Sequence, residues 1–363
     1  MEDNKLIIGI TQGDINSISY EVILKTLLES KVYEPNAVVI YGSAKVAAYH
    51  KKALDINQLS INVINSVEEA EWGAVNLINC TDDDVKVEFG KSTPIAGKAS
   101  FQALEAATVD MKAGLIDVLV TGPINKKNIQ SSTFQFPGHT EYLEQVFGNG
   151  DKALMLMVSD VLRVAVATGH IALSEVPSAL SVPLLVEKIK LLDQSLKKDF
   201  GVIKPRIAVL ALNPHAGEEG LLGREEIEII APAIQKAQDQ GCYCFGPIAA
   251  DGFFGADYFD RYDAILAMYH DQGLIPFKAL CRDEGVNFTA GLPIVRTSPA
   301  HGTAYALAGN NEASESSFRS ALYLACDVYR NRVRYFENNK NPLKKQHIVH
   351  SGDLSDLPVQ DEE

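Results

Sequence analysis

The chain reads as an α/β protein in two lobes, and three features of the sequence carry that expectation. Short apolar runs of strand length alternate with segments of helical period. The runs are continuously apolar, as in strands covered on both faces. The first run ends in GITQGD and no GxGxxG opens the helix that follows, so a conventional Rossmann dinucleotide site is not expected. In order, the first series of strands is KLIIGIT (5 to 11), AVVIYG (37 to 42), VNLIN (75 to 79) and DVLVTG (117 to 122), with helices over 19 to 29 and 97 to 113. A second series follows in KALMLMV (152 to 158), LRVAVATG (162 to 169), RIAVLAL (206 to 212) and DAILAMY (263 to 269), with helices over 182 to 198 and 223 to 239. Helical patterns return at 302 to 309 and 315 to 333, so the chain is expected to re-enter the first lobe near residue 286. This gives residues 1–137 with 286–336 as one lobe, 138–285 as the second, and 337–363 as a polar, frayed tail.

A length of 363 residues with 46% hydrophobic composition can fill a sizeable core. The formal net charge of −14 argues against a sequence-independent grip on nucleic acid or an anionic membrane, so an anionic small substrate would need locally placed cations. The opening MEDNKLIIGITQGD is no signal peptide, and no apolar run reaches the roughly 20 residues of a spanning helix; a soluble cytoplasmic protein is expected. Five scattered cysteines suit reduced thiols. Cys242 and Cys244 fit alternation in a strand better than a metal site.

Of eight histidines, three stand just past the end of an apolar run: VAVATGH ends at His170, IAVLALNPH at His215 and AILAMYH at His270. One histidine in that place is ordinarily a hydrogen-bonding loop residue. Three are a different matter, because residues at strand ends can converge on a crevice, and three imidazoles there leave a fourth position of a zinc-like site for water or substrate. Asp271 is a candidate for orienting a metal-bound imidazole, or equally for a helix N-terminus.

A second group has the charge types for phosphate: TGPINKK (121 to 127), PGHTE (137 to 141), and Lys278, Asn287 and Arg296. Gly138 before His139 and Thr140 at a helix start would expose backbone N–H groups, and the cations would neutralise phosphate. AHGTAYALAG (300 to 309), read alone, is a small-residue helix start.

Taken in order, TGP, GHTE, LNPHAGE (212 to 218), AMYHDQG (267 to 273), GVNFTAGLP (285 to 293), RTS (296 to 298) and HGTA (301 to 304) resemble the 4-hydroxythreonine-4-phosphate dehydrogenase family of pyridoxal phosphate biosynthesis, over most of residues 5 to 333. The resemblance implies a fold similar to isocitrate and isopropylmalate dehydrogenases, and a homodimer whose sites take residues from both subunits. It implies His170, His215 and His270 as ligands of a divalent metal, zinc before magnesium or cobalt. It further implies His139, Thr140, Lys278, Asn287 and Arg296 as substrate-binding residues, and Asp251 and Lys278 as the groups for proton transfer. His301, Gly302, Thr303 and Leu307 match the segment that holds NAD, or NADP, in place of a glycine fingerprint. The chain departs from the family in one loop, where TPGDPxGIGPE is replaced by TQGDINSISYE at 11 to 21.

The expected reaction is NAD-dependent, metal-assisted oxidation of 4-phosphooxy-L-threonine, followed by decarboxylation to 3-amino-2-oxopropyl phosphate. The altered loop keeps open the same chemistry on a phosphorylated sugar acid, threonate or erythronate phosphate. A non-catalytic metal- or phosphate-binding protein is the alternative of another class.

Overall fold

The computed structural model describes residues 5–82, 85–256 and 258–341. Its strands are β1 (Ile7–Thr11), β2 (Ala37–Gly42), β3 (Asn62–Ile64), β4 (Val75–Asn79), β5 (Val118–Thr121), β6 (Leu154–Val158), β7 (Arg163–Val166), β8 (Arg206–Leu210), β9 (Tyr243–Ile248), β10 (Ala264–Ala267), β11 (Val286–Ala290) and β12 (Arg296–Pro299). Its helices are α1 (Ser19–Leu27), α2 (Ala44–Ala53), α3 (Pro94–Ala113), α4 (His139–Phe147), α5 (Val176–Ala179), α6 (Val182–Lys198), α7 (Ala231–Asp239), α8 (Ala250–Gly255), α9 (His270–Cys281) and α10 (Ser316–Asn339).

All twelve strands form one sheet in the order β3-β4-β2-β1-β5-β12-β11-β6-β7-β10-β8-β9. From β3 to β12 neighbours are parallel, and from β7 to β9 they are parallel again. Between these blocks lie the antiparallel pairings β12/β11, β11/β6 and β6/β7, so the two blocks run in opposite senses. Every residue of β2, β5 and β10 is buried, which is why these strands carry no polar alternation.

The chain does return to the first block after residue 285, but it does so through two strands, β11 and β12, that the apolar patterning did not single out. They carry Asn287, Thr289, Arg296 and Ser298 among their apolar residues, which blurs the strand signal; these polar residues have work at the cavity described below. The helix expected over 302 to 309 is absent. Only a 3₁₀ turn forms at Tyr305–Leu307, because Ala304 sits at φ +41 and Gly309 at φ +86, both outside helical space. The last helix runs to Asn339, past the expected start of the tail, and residues 342–363 of that tail lie outside the described residues.

Local signals place the helices. Thr93 caps α3 by accepting from Ala96 N, Pro94 opens it, and Gly114 closes it in the left-handed region at φ +73. Helix α10 packs its Phe318, Leu322, Ala325 and Val328 face into the core. Its far end is tied to the end of α6 by a buried ion pair: Arg332 Nε donates to Asp199 Oδ1 at 2.6 Å, and Arg332 Nη1 donates to the carbonyls of Pro293 and Ile294. The acceptors left over on Asp199 are met by Ser195 and Asn331. Such a pair is strongly destabilising to break, because either partner alone is a buried charge. Cys242 and Cys244 are buried, and burial pushes the Cys244 thiol up to about 12.

The loop after β1, where the family's prolines and glycines are missing, is buried throughout. Side-chain hydrogen bonds hold it. Tyr20 OH donates to Gln12 Oε1 at 2.8 Å, Gln12 Nε2 donates to Ala99 O, and Ser43 N donates to Gln12 Oε1, so two of the three residues that stand where the family has proline bind each other. Ser17 and Ser19 donate to the carbonyls of Asp14 and Gln12. Gly13 is required: at φ +65, an added Cβ would meet Ser19 Oγ at 2.5 Å and Pro123 O at 2.6 Å.

His50 on α2 supports the same loop, its Nε2–H donating to Ile15 O at 2.9 Å while the ring stacks on Tyr20 at 5.0 Å. Burial pushes its pKa from 6.5 down to about 4, with the Ile15 bond acting weakly in the other direction. The unfolded chain therefore binds the extra proton. Stability from this residue is complete above pH 6.5 and falls as the pH drops towards 4, by roughly 3 kcal/mol at the lower end. Urea unfolding of the wild type and of His50→Phe at pH 7 and pH 4.5 should show a shallower pH slope in the variant; equal slopes would contradict this assignment.

Candidate functional site

A cavity of about 570 Å³ opens between the loop after β5, the start of α4, the loop after β7 and strands β11 and β12. His139, Thr140, Asn287, Arg296, His170, His301 and Gly302, drawn from three separately expected groups, all line it. Arg296 is its floor. The guanidinium is buried at 3% exposure and donates to Thr121 Oγ1 from Nε (3.0 Å) and Nη2 (2.6 Å), to Thr289 Oγ1 from Nη1 (3.2 Å) and to His139 Nδ1 from Nη2 (3.1 Å). Among the described residues it makes no ion pair, and burial pushes its pKa down to about 10, Glu141 opposing at longer range.

The proton inventory of His139 follows from that contact. A guanidinium only donates, so Nδ1 accepts and the proton of the neutral ring is on Nε2. Burial first, then Arg296 and Lys126, hold this imidazole well below its ordinary pKa, and so neutral. Nε2 is buried without a partner, as is Asn287 Oδ1. His139 also opens α4, whose cap residue Gly138 offers no side chain to the first backbone N–H groups. A buried cation without a carboxylate, an orphan N–H and an uncapped helix start make this end of the cavity a site for an anion such as phosphate.

Of the three expected metal ligands, His170 lines the cavity and His270 stands next to it. Strands β7, β10 and β8 are adjacent and parallel, and His170, His270 and His215 follow them in that order at one edge of the sheet. The rings of His170 and His270 lie 5.5 Å apart at 43°. His270 Nδ1–H donates to Asp271 Oδ1 at 2.7 Å, which leaves Nε2 as a lone-pair donor, and Asp271 also lies in the first turn of α9. Lys126 Nζ lies 3.3 Å from His170 Nε2, which must therefore accept. Burial, then Lys126, pushes the His170 pKa down and keeps the ring neutral. Each of these imidazoles carries a lone-pair nitrogen of the kind that ligates a divalent metal, the one on His170 here accepting from Lys126.

His215 is exposed and does not join them: among the described residues no three His, Cys, Asp or Glu side chains are grouped closely enough to hold a metal. It sits in a left-handed turn, with residues 215 to 219 all at positive φ. Glu226 holds that turn by accepting from the backbone N–H of Leu212 (2.8 Å) and Asn213 (2.7 Å) and from Asn213 Nδ2.

His301 stands between this cavity and a second one of about 290 Å³, which Lys278, Leu307 and Ile18 line. Its Nδ1–H donates to Gly302 O, so the buried and unpartnered Nε2 is left as an acceptor. Thr303 is tied to the altered loop, its carbonyl accepting from Ile18 N at 3.2 Å. Lys278 is exposed on α9 and lines the second cavity, apart from Arg296. Asp251 is exposed in the first turn of α8, beyond the edge strand β9, and lines neither cavity. Sequence reasoning passed over Lys126, Thr121 and Thr289. The first two lie in the TGPINKK segment and the third in GVNFTAGLP, so the motifs held them, but nothing short of packing tells which hydroxyls face a guanidinium.

Residues 34–325 match the family model described as Pyridoxal phosphate biosynthetic protein PdxA. A 4-hydroxythreonine-4-phosphate dehydrogenase of Bacteroides thetaiotaomicron is 55% identical over 359 residues, 99% of this chain and 98% of the relative. A Clostridium botulinum relative named for D-threonate 4-phosphate dehydrogenase activity is 36% identical, over 90% of this chain and 97% of its own. The solved structure of a Klebsiella pneumoniae 4-hydroxythreonine-4-phosphate dehydrogenase superposes with a TM-score of 0.77 at 33% identity, over 91% of this chain and 99% of that one. With the model match and the identity extending across nearly the whole chain, the protein belongs to the PdxA family of pyridoxal phosphate biosynthetic proteins.

Proposed function

We propose that the protein is a cytoplasmic, NAD-dependent dehydrogenase that oxidises 4-phosphooxy-L-threonine and releases carbon dioxide to give 3-amino-2-oxopropyl phosphate, in pyridoxine 5′-phosphate biosynthesis. The observation that carries this reading is one cavity with a buried, carboxylate-free guanidinium at one end and the His170 imidazole at the other, with the His270 ring 5.5 Å from it. Arg296, His139 Nε2–H and the first N–H groups of α4 bind the phosphate, and Asn287 adds a hydrogen bond. Lys126 supplies a second cation for the substrate carboxylate. When bound, a divalent metal supplies Lewis acidity at the substrate hydroxyl and NAD or NADP the hydride acceptor. His170 and His270 would hold that metal, and imidazole donors favour zinc over magnesium.

In this reading the protein works as a homodimer, with residues 1–137 and 286–336 as one lobe and 138–285 as the other. His215 and Asp251, beyond the last two strands of the sheet, serve the site of a second copy, and Lys278 or Asp251 moves the proton. His301, Gly302, Thr303 and Leu307 hold the dinucleotide between the two cavities. A phosphorylated sugar acid is the second reading, favoured by the Clostridium botulinum relative. The altered loop is a weaker argument for it, since it reaches the second cavity through Ile18.

Purified protein with zinc, NAD and 4-phosphooxy-L-threonine should produce NADH absorbance; none across zinc, cobalt and magnesium would overturn the proposal. Threonate phosphate and erythronate phosphate assayed alongside separate the two substrate readings. Arg296→Ala should lose roughly 2–5 kcal/mol in kcat/KM through its phosphate contact, whereas a small loss would remove Arg296 from the site. His170→Ala and His215→Ala should each be inactive and zinc-poor. Mixing the two after subunit exchange should restore about a quarter of wild-type turnover, because each heterodimer carries one intact site; no recovery would rule out sharing.

A further inference from the structure

Beside the residues that line the two cavities, one half-buried network joins three segments around them. Asp14 is fully buried in the loop after β1. Its carboxylate accepts from Tyr305 OH at 2.7 Å, from Asn128 Nδ2 at 2.9 Å and from Asn16 N at 2.9 Å, and among the described residues it has no cation within ion-pair distance. Tyr305 OH in turn accepts from Asn125 Nδ2 at 3.1 Å. Asn125 and Asn128 belong to the stretch that carries Gly122, Pro123 and Lys126 to the main cavity. Two backbone bonds run beside the side chains: Asp14 N donates to Pro123 O, and Ile18 N to Thr303 O.

Tyr305 lies in the middle of the segment from His301 to Leu307. Burial and Asp14 push its pKa up to about 12, so the hydroxyl keeps its proton and donates. Ala304, next to it, is held at φ +41, a conformation that a residue with a Cβ adopts only where its surroundings enforce it. A hydrogen bond to a charged acceptor is stronger than one between neutral groups, and this one is half-buried. The enforcing contacts are thus the Tyr305–Asp14 bond on one side of Ala304 and the Ile18–Thr303 bond on the other.

We infer that Asp14 and Tyr305 are positioning residues for the dinucleotide: their hydrogen bond holds the His301–Leu307 segment in the shape that receives the cofactor, while the phosphate end of the cavity is set independently by Arg296. The inference rests on the dehydrogenase reading above. It assigns the loop after β1 to cofactor affinity through Asp14 and Ile18, two positions that keep the family's residues, since both reach that segment whereas Arg296 takes its partners from β5, β11 and α4.

The test compares wild type with Tyr305→Phe, which removes only the hydroxyl, and with Asp14→Asn. NADH is titrated by its fluorescence, and inorganic phosphate by calorimetry. Tyr305→Phe should weaken NADH about tenfold and raise the KM for NAD alike, with kcat and phosphate affinity within about twofold of wild type. Asp14→Asn should follow it. If Tyr305→Phe binds NADH as wild type does, or loses NADH and phosphate in equal measure, the inference is overturned while the dehydrogenase reading stands. If the wild type binds phosphate but no NADH, the dehydrogenase reading fails, and this inference with it.

Discussion

A guanidinium withdrawn from water is tolerated only where other acceptors replace its hydration. Around Arg296 these are Thr121 of β5, Thr289 of β11 and His139 of α4, so three elements must be in place before the side chain can be buried. None of the three carries charge. The site therefore keeps most of the cation's field for a ligand, and the same contact fixes which nitrogen of His139 bears the proton. Substrate-binding capacity and local stability are in this sense opposed, since a carboxylate in place of any of these partners would pair with the arginine and fill the site.

The sheet makes that assembly possible. Two parallel blocks alone would leave Arg296 and the histidine-bearing strands unconnected; the antiparallel trio β12, β11 and β6 joins them and sets the blocks in opposite senses. Parallel pairing of β7, β10 and β8 then brings three loops to one edge, each with a histidine. Two of these imidazoles meet, with Asp271 orienting one and Lys126 facing the other. The third is displayed outward on a left-handed turn that Glu226 secures through the backbone N–H groups of Leu212 and Asn213.

The altered loop shows how a change of sequence can be absorbed. Where proline would limit the backbone, Gln12 and Tyr20 bind each other; where glycine would permit close approach, Ser17 and Ser19 bond to backbone carbonyls. Rigidity that the family's pattern builds into the unfolded chain is supplied here by contacts in the folded one. Those contacts make the loop a polar, buried layer against the segment from His301 to Leu307.

The α/β character, eight of the twelve strands, the main helices and the return of the chain after residue 285 were all legible in the sequence, because apolar periodicity reports burial and burial drives the sheet. The motifs likewise named Arg296, His139 and Asn287 as one group and His170 as a member of another, and the fold brings all four to one cavity. Strands β11 and β12 were not legible, since polar residues committed to the cavity interrupt their apolar pattern. Nor was the failed helix at 302 to 309, where Ala304 takes a left-handed conformation that local propensity disfavours. What only the tertiary structure decided is the state of each polar atom: that His139 carries its proton on Nε2, that Asp271 orients His270, that Lys278 and Asp251 stand outside the main cavity, and that Asp14 reaches Tyr305. Hydrogen-bond direction depends on which partner arrives from elsewhere in the chain, and Asp14 and Tyr305 are 291 residues apart.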